Sequence, residues 1–150
     1  MKNREIMTPN PQCVSPDTTL AEAAQKMHVC KVGILPVCDV QRLVGVLTDR
    51  DVAIRVVAHG LDPNQTVVRS VMSRLIISCF ADHDQETAAK LMESYHIRRL
   101  PVLDQQEQLV GIISLTDLAT RTEPKGLALQ VLGNIIRELH KFQVLPSPQG

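Results

Sequence analysis

The sequence predicts an α/β (α+β) fold made of two similar units followed by a C-terminal amphipathic helix. The first observation is a repeated phrase, since LVGVLTDRD at residues 43–51 is followed by LVGIISLTD at residues 109–117. The second is that LPV occurs at residues 35–37 and again at 100–102, each time after an apolar stripe with helical spacing. An internal repeat is interpreted first because it sets the architecture in which every other residue is placed.

The repeat extends over most of the chain. Met72 lies 65 positions after Met7, and one extra residue in the turn QQEQ then moves the spacing to 66, so that Asp117 corresponds to Asp51. The turn-forming stretch GLDPNQT separates the two units as a linker. The predicted boundaries are unit 1 at 4–62, unit 2 at 66–122, a C-terminal helix at 126–143 and a loose tail at 144–150.

Each unit is predicted to run strand, helix, strand, strand, helix. In unit 1, Thr19 and Glu22 form a capping-box signature at the start of the first helix. GILPVCD and LVGVLT are β-branched runs separated by a polar turn, which predicts an antiparallel hairpin. Thr48 is the expected N-cap of the second helix, which Gly60 ends. The helical stripes are Leu20, Ala23, Ala24 and Met27 in unit 1 and Ala88, Leu91, Met92 and Tyr95 in unit 2.

A unit of this size cannot cover its own small sheet, so we expect the two sheets to pack together about an internal pseudo-two-fold. The two helical stripes predict a homodimer that covers them, with Ala23, Ala24, Met27, Ala88 and Leu91 in the contact. The C-terminal helix carries a second stripe, which is expected to pack on the module or on a second subunit. An unknown protein partner is the alternative. This stripe consists of Leu129, Leu132, Ile136 and Leu139.

Composition excludes several classes of function. Sixteen basic residues balance sixteen acidic ones and Trp is absent, which disfavours nucleic acid as a partner. No apolar stretch is long enough to span a membrane, and the N-terminus lacks a signal sequence, which predicts a cytoplasmic protein without a membrane partner. The histidines and cysteines show no metal-ligand or CxxC spacing, which predicts no metal site and reduced, buried cysteines. The cysteines are Cys13, Cys30, Cys38 and Cys79.

The repeated (T/S)xxD motif is the candidate binding chemistry. Thr48 and Ser114 stand where a strand ends and a helix begins, and a helix N-terminus together with a hydroxyl favours a phosphate. Asp51 and Asp117 are acceptors suited to the two hydroxyls of a ribose. The alternative is that Thr48 and Ser114 are ordinary N-caps whose aspartates complement the helix dipole, each worth about 0.5–1 kcal/mol. The isolated motif favours this second interpretation.

The order of motifs as a whole resembles the tandem CBS-domain pair, or Bateman module, over about residues 4–122. The resemblance rests on LPVxD, VGhh(T/S)xxD (h, aliphatic), VSPDTTLAEAA at 14–24, and IMTP echoed by VMSR. It implies two clefts that bind AMP, ADP, ATP or S-adenosylmethionine between the CBS units. Their ligand-binding residues would be Thr48 and Asp51 in one cleft and Ser114 and Asp117 in the other, with Arg98, Arg99 and Arg50 as candidate phosphate partners.

Unit 2 departs from the pattern in that Gln85 replaces Leu20 and the proline of position 16 is lacking, while unit 1 has Gly33 and Ile34 where unit 2 has its arginines. The leading hypothesis is a stand-alone regulatory or sensor module that needs no cofactor and has no catalytic residues. One alternative is a structural dimerisation module with empty clefts. Another is an unrecognised enzyme, for which His96 beside Arg98 is the candidate.

Overall fold

The computed structural model describes residues 1–122 and 126–142, with only the helical backbone for residues 139–142. It has two small sheets and six α-helices within that part of the chain. The predicted tail at 144–150 lies outside the described residues. The elements are α1 (Asn3–Ile6), β1 (Thr8–Pro9), α2 (Leu20–Cys30), β2 (Ile34–Asp39), β3 (Arg42–Thr48), α3 (Asp49–Asp51) continued by a π-helix (Val52–Val57), a 3₁₀ turn (Val68–Ser70), β4 (Cys79–Phe80), α4 (Gln85–Tyr95), β5 (Arg99–Leu103), β6 (Leu109–Ser114), α5 (Leu115–Arg121) and α6 (Gly126–Phe142).

The chain forms two compact units, each of which takes residues from both sequence repeats. The Thr48 unit consists of Asn10–Ile77 and Leu103–Val110. The Ser114 unit consists of Met1–Pro9, Ser78–Val102 and the described residues from Gly111 onward. The predicted mixed fold of helices and small sheets is therefore confirmed, and the order helix, strand, strand, helix occurs in each repeat.

In the Thr48 unit, the hairpin of β2 and β3 pairs antiparallel from Ile34 opposite Thr48 to Asp39 opposite Arg42. The predicted first strand of the repeat is reduced here to a single parallel bridge between Val14 and Val37. Helix α2 starts as predicted, since the Thr19 side chain accepts a hydrogen bond from the Glu22 N–H at 3.3 Å. The buried core joins α2, the hairpin, the π-helix and the segment that follows the linker. Its residues are Val14, Leu20, Ala23, Met27, Leu35, Val37, Leu47, Val56, Val68, Val71 and Met72.

The Ser114 unit has more regular strand pairing. Its sheet has four strands in the order β1-β6-β5-β4, so that a real strand, Cys79–Phe80, stands where the other unit has one bridge. The sheet and its helices bury an aliphatic core as the composition predicted. Its largest fully buried side chains are Ile6, Met92, Leu100, Ile113 and Leu118 together with Gln85.

The opening segments of the repeats are exchanged between the compact units. Thr8, in the opening segment of repeat 1 (residues 6–9), pairs with Ile112 of β6, whereas Ser73, in the opening segment of repeat 2 (residues 71–74), bridges Val46 of β3. The Ser73–Val46 contact has two backbone hydrogen bonds, of 2.9 and 3.0 Å. Each repeat therefore completes its sheet with the opening segment of the other repeat.

This exchange explains the glycine in the repeated phrase. A Cβ at Gly45 would lie 2.9 Å from the Ser73 carbonyl oxygen and would collide with the Met72 side chain. At Gly111, a Cβ would lie 3.1 Å from the Thr8 carbonyl oxygen and would collide with Met7. Glycine is required because the opening segment crosses each strand at backbone contact distance.

Helix α6 is present, but the face that packs on its own unit is not the predicted stripe. The helix packs on α4 and α5 through Ala128, Val131 and Ile135, which are at most 4% exposed. Leu129 is 74% exposed and Ile136 is 44% exposed. The helix has apolar residues on both sides, and the stripe of largest side chains is not the one that contacts the unit, so packing of that stripe on a second subunit stays a prediction. The side chain of Leu139 lies outside the described residues.

The helical stripes expected to form a dimer contact also differ from the prediction. Ala23, Met27 and Ala88 are buried within their own units, so they are not available to cover a second subunit. Of the five predicted residues, only Ala24 and Leu91 are partly exposed. Among the described helices, none is long and apolar enough to cross a membrane.

Candidate functional site

Both (T/S)xxD motifs form reciprocal capping boxes at the start of a helix. The Thr48 N–H donates to Asp51 Oδ2 at 2.9 Å, and the Asp51 N–H donates to Thr48 Oγ1 at 3.0 Å. The corresponding distances for Ser114 and Asp117 are 2.7 and 3.1 Å. Both motifs thus act as helix N-caps. A ligand could bind only to the hydrogen-bond acceptors of the aspartates that capping does not use.

A carboxylate can accept about four hydrogen bonds, so capping does not exhaust either aspartate. The side chain of Asp51 is 16% exposed and that of Asp117 is 11% exposed, which leaves each carboxylate reachable over a narrow angle only. The two sites differ at the hydroxyl: Ser114 Oγ also donates to Asp117 Oδ2 at 2.7 Å, whereas Thr48 makes no corresponding donation among the described contacts.

An arginine one turn further along the helix forms an ion pair with each aspartate. Arg55 Nε lies 4.0 Å from Asp51 Oδ1, and its Nη1 donates to the Val71 carbonyl at 2.7 Å. Arg121 Nε lies 3.5 Å from Asp117 Oδ1, and its Nη1 donates to the Ile6 carbonyl at 3.1 Å. Each arginine therefore connects the candidate ligand-binding carboxylate to the exchanged opening segment of its unit.

The sequence reasoning missed Arg55 and Arg121, although a signal was present. The two residues are 66 positions apart, as the aspartates are, and each follows its aspartate at i+4. A repeated acid and base at this spacing predicts a pair on one helix face. The signal was overlooked because both arginines lie outside the (T/S)xxD motif.

The predicted phosphate partners Arg98 and Arg99 lie at the start of the first hairpin strand of the Ser114 unit. The Arg98 carbonyl accepts from the Leu115 N–H at 2.9 Å, which fixes the start of β5 beside the first turn of α5. In the Thr48 unit, the Gly33 carbonyl accepts from the Asp49 N–H at the same distance. Arg98 is therefore close in the backbone to Ser114 and Asp117, and its own side chain and that of Arg99 are exposed.

The equivalent position in the Thr48 unit carries the opposite charge. A Cβ on Gly33 would lie 2.9 Å from Asp49 Oδ2, so the Asp49 carboxylate occupies the space beside the glycine. Arg50, the predicted replacement cation, is exposed, and its N–H donates to Asp49 Oδ1 at 2.8 Å. The site of the Ser114 unit thus has two arginines near its motif, whereas that of the Thr48 unit has an arginine next to a carboxylate.

His96, the residue on which the enzyme alternative depended, is the C-cap of α4. It is exposed and adopts the left-handed conformation at φ 54°, as Lys31 does at the end of α2 with φ 55°. Both residues end the first helix of a repeat, which is a structural role. Within the described residues, no group of three or more His, Cys, Asp or Glu side chains could hold a metal ion.

Two repeats of helix, hairpin and capped helix, each completed by an exchanged opening segment, define a paired-repeat module with one candidate site in each unit. The CBS domain family matches this chain twice, at residues 4–58 and 68–122. The chain belongs to the CBS-domain family, as a tandem pair.

Curated relatives of similar length support this assignment. CBS domain-containing protein YhcV of Bacillus subtilis is 42% identical over 132 residues, which is 88% of this chain and 93% of the relative. Hypoxic response protein 1 of Mycobacterium tuberculosis is 38% identical over 117 residues, covering 77% of this chain and 81% of the relative. Several of the related chains are therefore stand-alone CBS-domain proteins.

Solved structures give the same fold. Hypoxic Response Protein I, solved with two coordinated zinc ions, has a TM-score of 0.75 at 36% identity, covering 81% of this chain and 99% of that one. The CBS domain pair of protein MJ0100, in complex with 5-methylthioadenosine and S-adenosyl-L-methionine, has a TM-score of 0.69 at 26% identity, covering 79% and 93%. CBSX2 in complex with AMP has a TM-score of 0.66 at 26% identity, covering 94% and 97%.

Proposed function

We propose that this protein is a stand-alone regulatory module that binds an adenosine-containing ligand, with AMP, ADP, ATP and S-adenosylmethionine as the candidate set. The observation that carries the proposal is the duplicated site: in each compact unit a (T/S)xxD capping box presents an aspartate that an arginine orients from the same helix. The ligands in the solved structures of MJ0100 and CBSX2 are adenosine derivatives, which supports the choice of ligand class.

In this proposal, the aspartates accept the ribose hydroxyls, and the basic side chains receive phosphate. Asp117 serves the Ser114 unit together with Arg98 and Arg99. Asp51 serves the Thr48 unit, where Arg50 is the available cation. Ligand binding would then act through Arg55 and Arg121, because each of these connects its aspartate to the exchanged opening segment.

Equilibrium binding tests the proposal. Isothermal titration calorimetry of the full chain with AMP, ADP, ATP, NAD and S-adenosylmethionine should give saturable binding for at least one adenosine derivative. Guanosine monophosphate and free ribose 5-phosphate are the controls, since they keep the ribose and phosphate but replace or remove the adenine. The absence of binding across the panel would favour the structural module with empty clefts.

The second part of the proposal is that the protein is a homodimer. Exposed apolar side chains favour a dimer: Tyr95 (52% exposed) and Leu129 (74%) belong to the predicted stripes, and Val29 (71%) lies outside them. A specific dimer should bury more than about 1,000 Å² in total. Multi-angle light scattering at micromolar concentration should give twice the chain mass, and a monomer there would contradict this part only.

We further propose that the protein is not an enzyme. The relatives that it matches over most of their length are stand-alone CBS-domain proteins, and His96 is accounted for as a helix C-cap. Incubation with each ligand that binds should leave that ligand unchanged by chromatography. Conversion of a bound ligand by the wild type, lost in His96→Asn, would restore the enzyme alternative.

A further inference from the structure

Two of the four cysteines come together in the Thr48 unit. Val14 and Val37 form a parallel bridge, which is held by hydrogen bonds from the Val14 N–H to the Pro36 carbonyl at 3.0 Å and from the Cys38 N–H to the Val14 carbonyl at 2.9 Å. Both valines belong to the hydrophobic core. Because side chains alternate along extended chain, the neighbouring residues Cys13 and Cys38 lie on the other side of the same pair of segments.

The two thiols are in direct contact. The side chains of Cys13 and Cys38 interact through a hydrogen bond, and neither cysteine is in a disulfide. Cys13 is held in place from a second direction, since Lys26 Nζ donates to its carbonyl oxygen at 2.7 Å. Cys38 lies at the β-bulge between Val37 and Cys38, where the register of the hairpin shifts.

The two thiols differ in solvent accessibility, so they would have different roles in thiol–disulfide exchange. Cys13 is partly exposed, whereas Cys38 is only 6% exposed. Burial, together with the charge and hydrogen bond of Cys13, raises the pKa of the Cys38 thiol to about 12. An oxidant from solution would therefore meet Cys13 first, with Cys38 kept as the resolving thiol behind it.

We propose that Cys13 and Cys38 are a site of reversible oxidation, at which a small-molecule disulfide such as oxidised glutathione forms an intrachain disulfide. The Cys13 thiolate attacks one sulfur of oxidised glutathione, the S–S bond breaks, and one glutathione thiolate leaves. The Cys38 thiolate then attacks the Cys13 sulfur of the mixed disulfide and displaces the second glutathione. Two protein thiols are oxidised by two electrons, and one oxidised glutathione becomes two reduced glutathiones.

The position of the pair gives the bond a structural effect. It would fasten the segment before Val14 to β2 at the place where the Ser114 unit has the paired strand β4 and this unit has a single bridge. The corresponding residues of repeat 2 are Ser78 and Leu103, so that unit has no equivalent pair. Oxidation would therefore stiffen one compact unit selectively.

Mass spectrometry of the full chain tests the proposal. After incubation with oxidised glutathione at pH 8, the intact mass should fall by about 2 Da, and unreduced peptide maps should contain Cys13 linked to Cys38. Free thiols should fall from four to two. Cys30→Ala, which removes a partly exposed cysteine outside the pair, is the matched control and should still form the disulfide.

Cys13→Ala should block the reaction without touching the buried position, so that it remains informative if Cys38→Ala folds poorly. Ring closure should accelerate roughly tenfold per pH unit between pH 7 and 9, because Cys38 must lose its proton to attack. Oxidation should raise the melting temperature of the wild type and of Cys30→Ala but not of Cys13→Ala. A stable glutathione adduct on Cys13 with Cys38 still free, or an interchain disulfide on non-reducing gels, would overturn the assignment.

Discussion

The Thr48 unit and the Ser114 unit share one backbone plan, yet they differ in the charged residues at the start of the hairpin. Both have the capping box, the arginine that holds its aspartate, and a glycine under the exchanged segment. Only the Ser114 unit has two arginines at the start of its hairpin, and only the Thr48 unit has a carboxylate, Asp49, beside the equivalent glycine. The shared features are those that the fold requires, whereas the charges at the start of the hairpin can differ between the two candidate sites.

The units differ in regularity as well. The Ser114 unit has a four-stranded sheet and a seven-residue α-helix after its motif. The Thr48 unit has a two-stranded sheet, and its helix changes from α to π geometry at Val52. π-Helical turns in proteins occur frequently at functional sites. The unit with the more regular secondary structure is therefore not necessarily the unit that binds ligand more tightly. Stability and ligand affinity should be measured separately.

The largest effect on ligand binding should come from Asp117, the proposed ribose partner in the Ser114 unit. Asp117→Ala should abolish the tighter binding step for AMP, while Asp51→Ala should affect only the weaker one. Each substitution removes the same kind of cap, so the pair controls for lost helix stability, which circular dichroism would report. Calorimetry that resolves two equivalent AMP sites, or loss of the tighter step in Asp51→Ala, would contradict the inequality of the units.

The next largest effect should be a loss of stability when the buried face of α6 is changed. Ile135 is 3% exposed on α6, so Ile135→Ala should lower the free energy of unfolding by about 2–5 kcal/mol. Leu129→Ala, on the 74% exposed side of the same helix, should stay within about 0.5 kcal/mol of the wild type. Urea denaturation of both variants distinguishes the two faces. Equal losses would mean that Leu129 is covered in the protein assembly.

Substitution of Gly45 and of Gly111 should have similar effects on stability, because each glycine lies directly against an exchanged opening segment. Gly45→Ala and Gly111→Ala should each lower the free energy of unfolding by about 1–3 kcal/mol, since a methyl group would press on the opening segment. Gly133→Ala is the control: among the described residues, no atom outside the helix's own neighbouring backbone lies within 4 Å of its added Cβ, and alanine favours the helix by up to about 1 kcal/mol. A neutral Gly45→Ala would show that the exchange matters in one unit only.

The smallest effect should come from a single exposed arginine. Arg98→Ala should weaken AMP binding at the tighter site about tenfold, or about 1.4 kcal/mol, near the lower end of the range for a charged hydrogen bond. Binding of adenosine, which lacks the phosphate, should be unchanged, and Arg50→Ala should affect only the weaker site. An equal loss for adenosine would mean that Arg98 acts on the fold and not on phosphate.

Much of this architecture could be predicted because the sequence repeats itself. The alignment of Met7 with Met72 and of Gly45 with Gly111 placed the hairpins, the helices and both (T/S)xxD motifs. Local rules did not reveal the exchange of opening segments, because pairing Thr8 with Ile112 depends on contacts between residues far apart in the chain. The apolar face of α6 and the Asp49 carboxylate beside Gly33 were missed for the same reason. Each of these features depends on tertiary contacts, and the periodicity of the sequence carries no information about them.

The exchange of opening segments also determines how the chain can be divided. A cut in the linker GLDPNQT would give two fragments, and each fragment would hold the sheet edge that the other one lacks. The first fragment would lack Ser73, which bridges β3, and the second would lack β1, which pairs with β6. Mixed together, the fragments should assemble by complementation, so the chain offers a split-protein pair in which association of the halves and folding are one event.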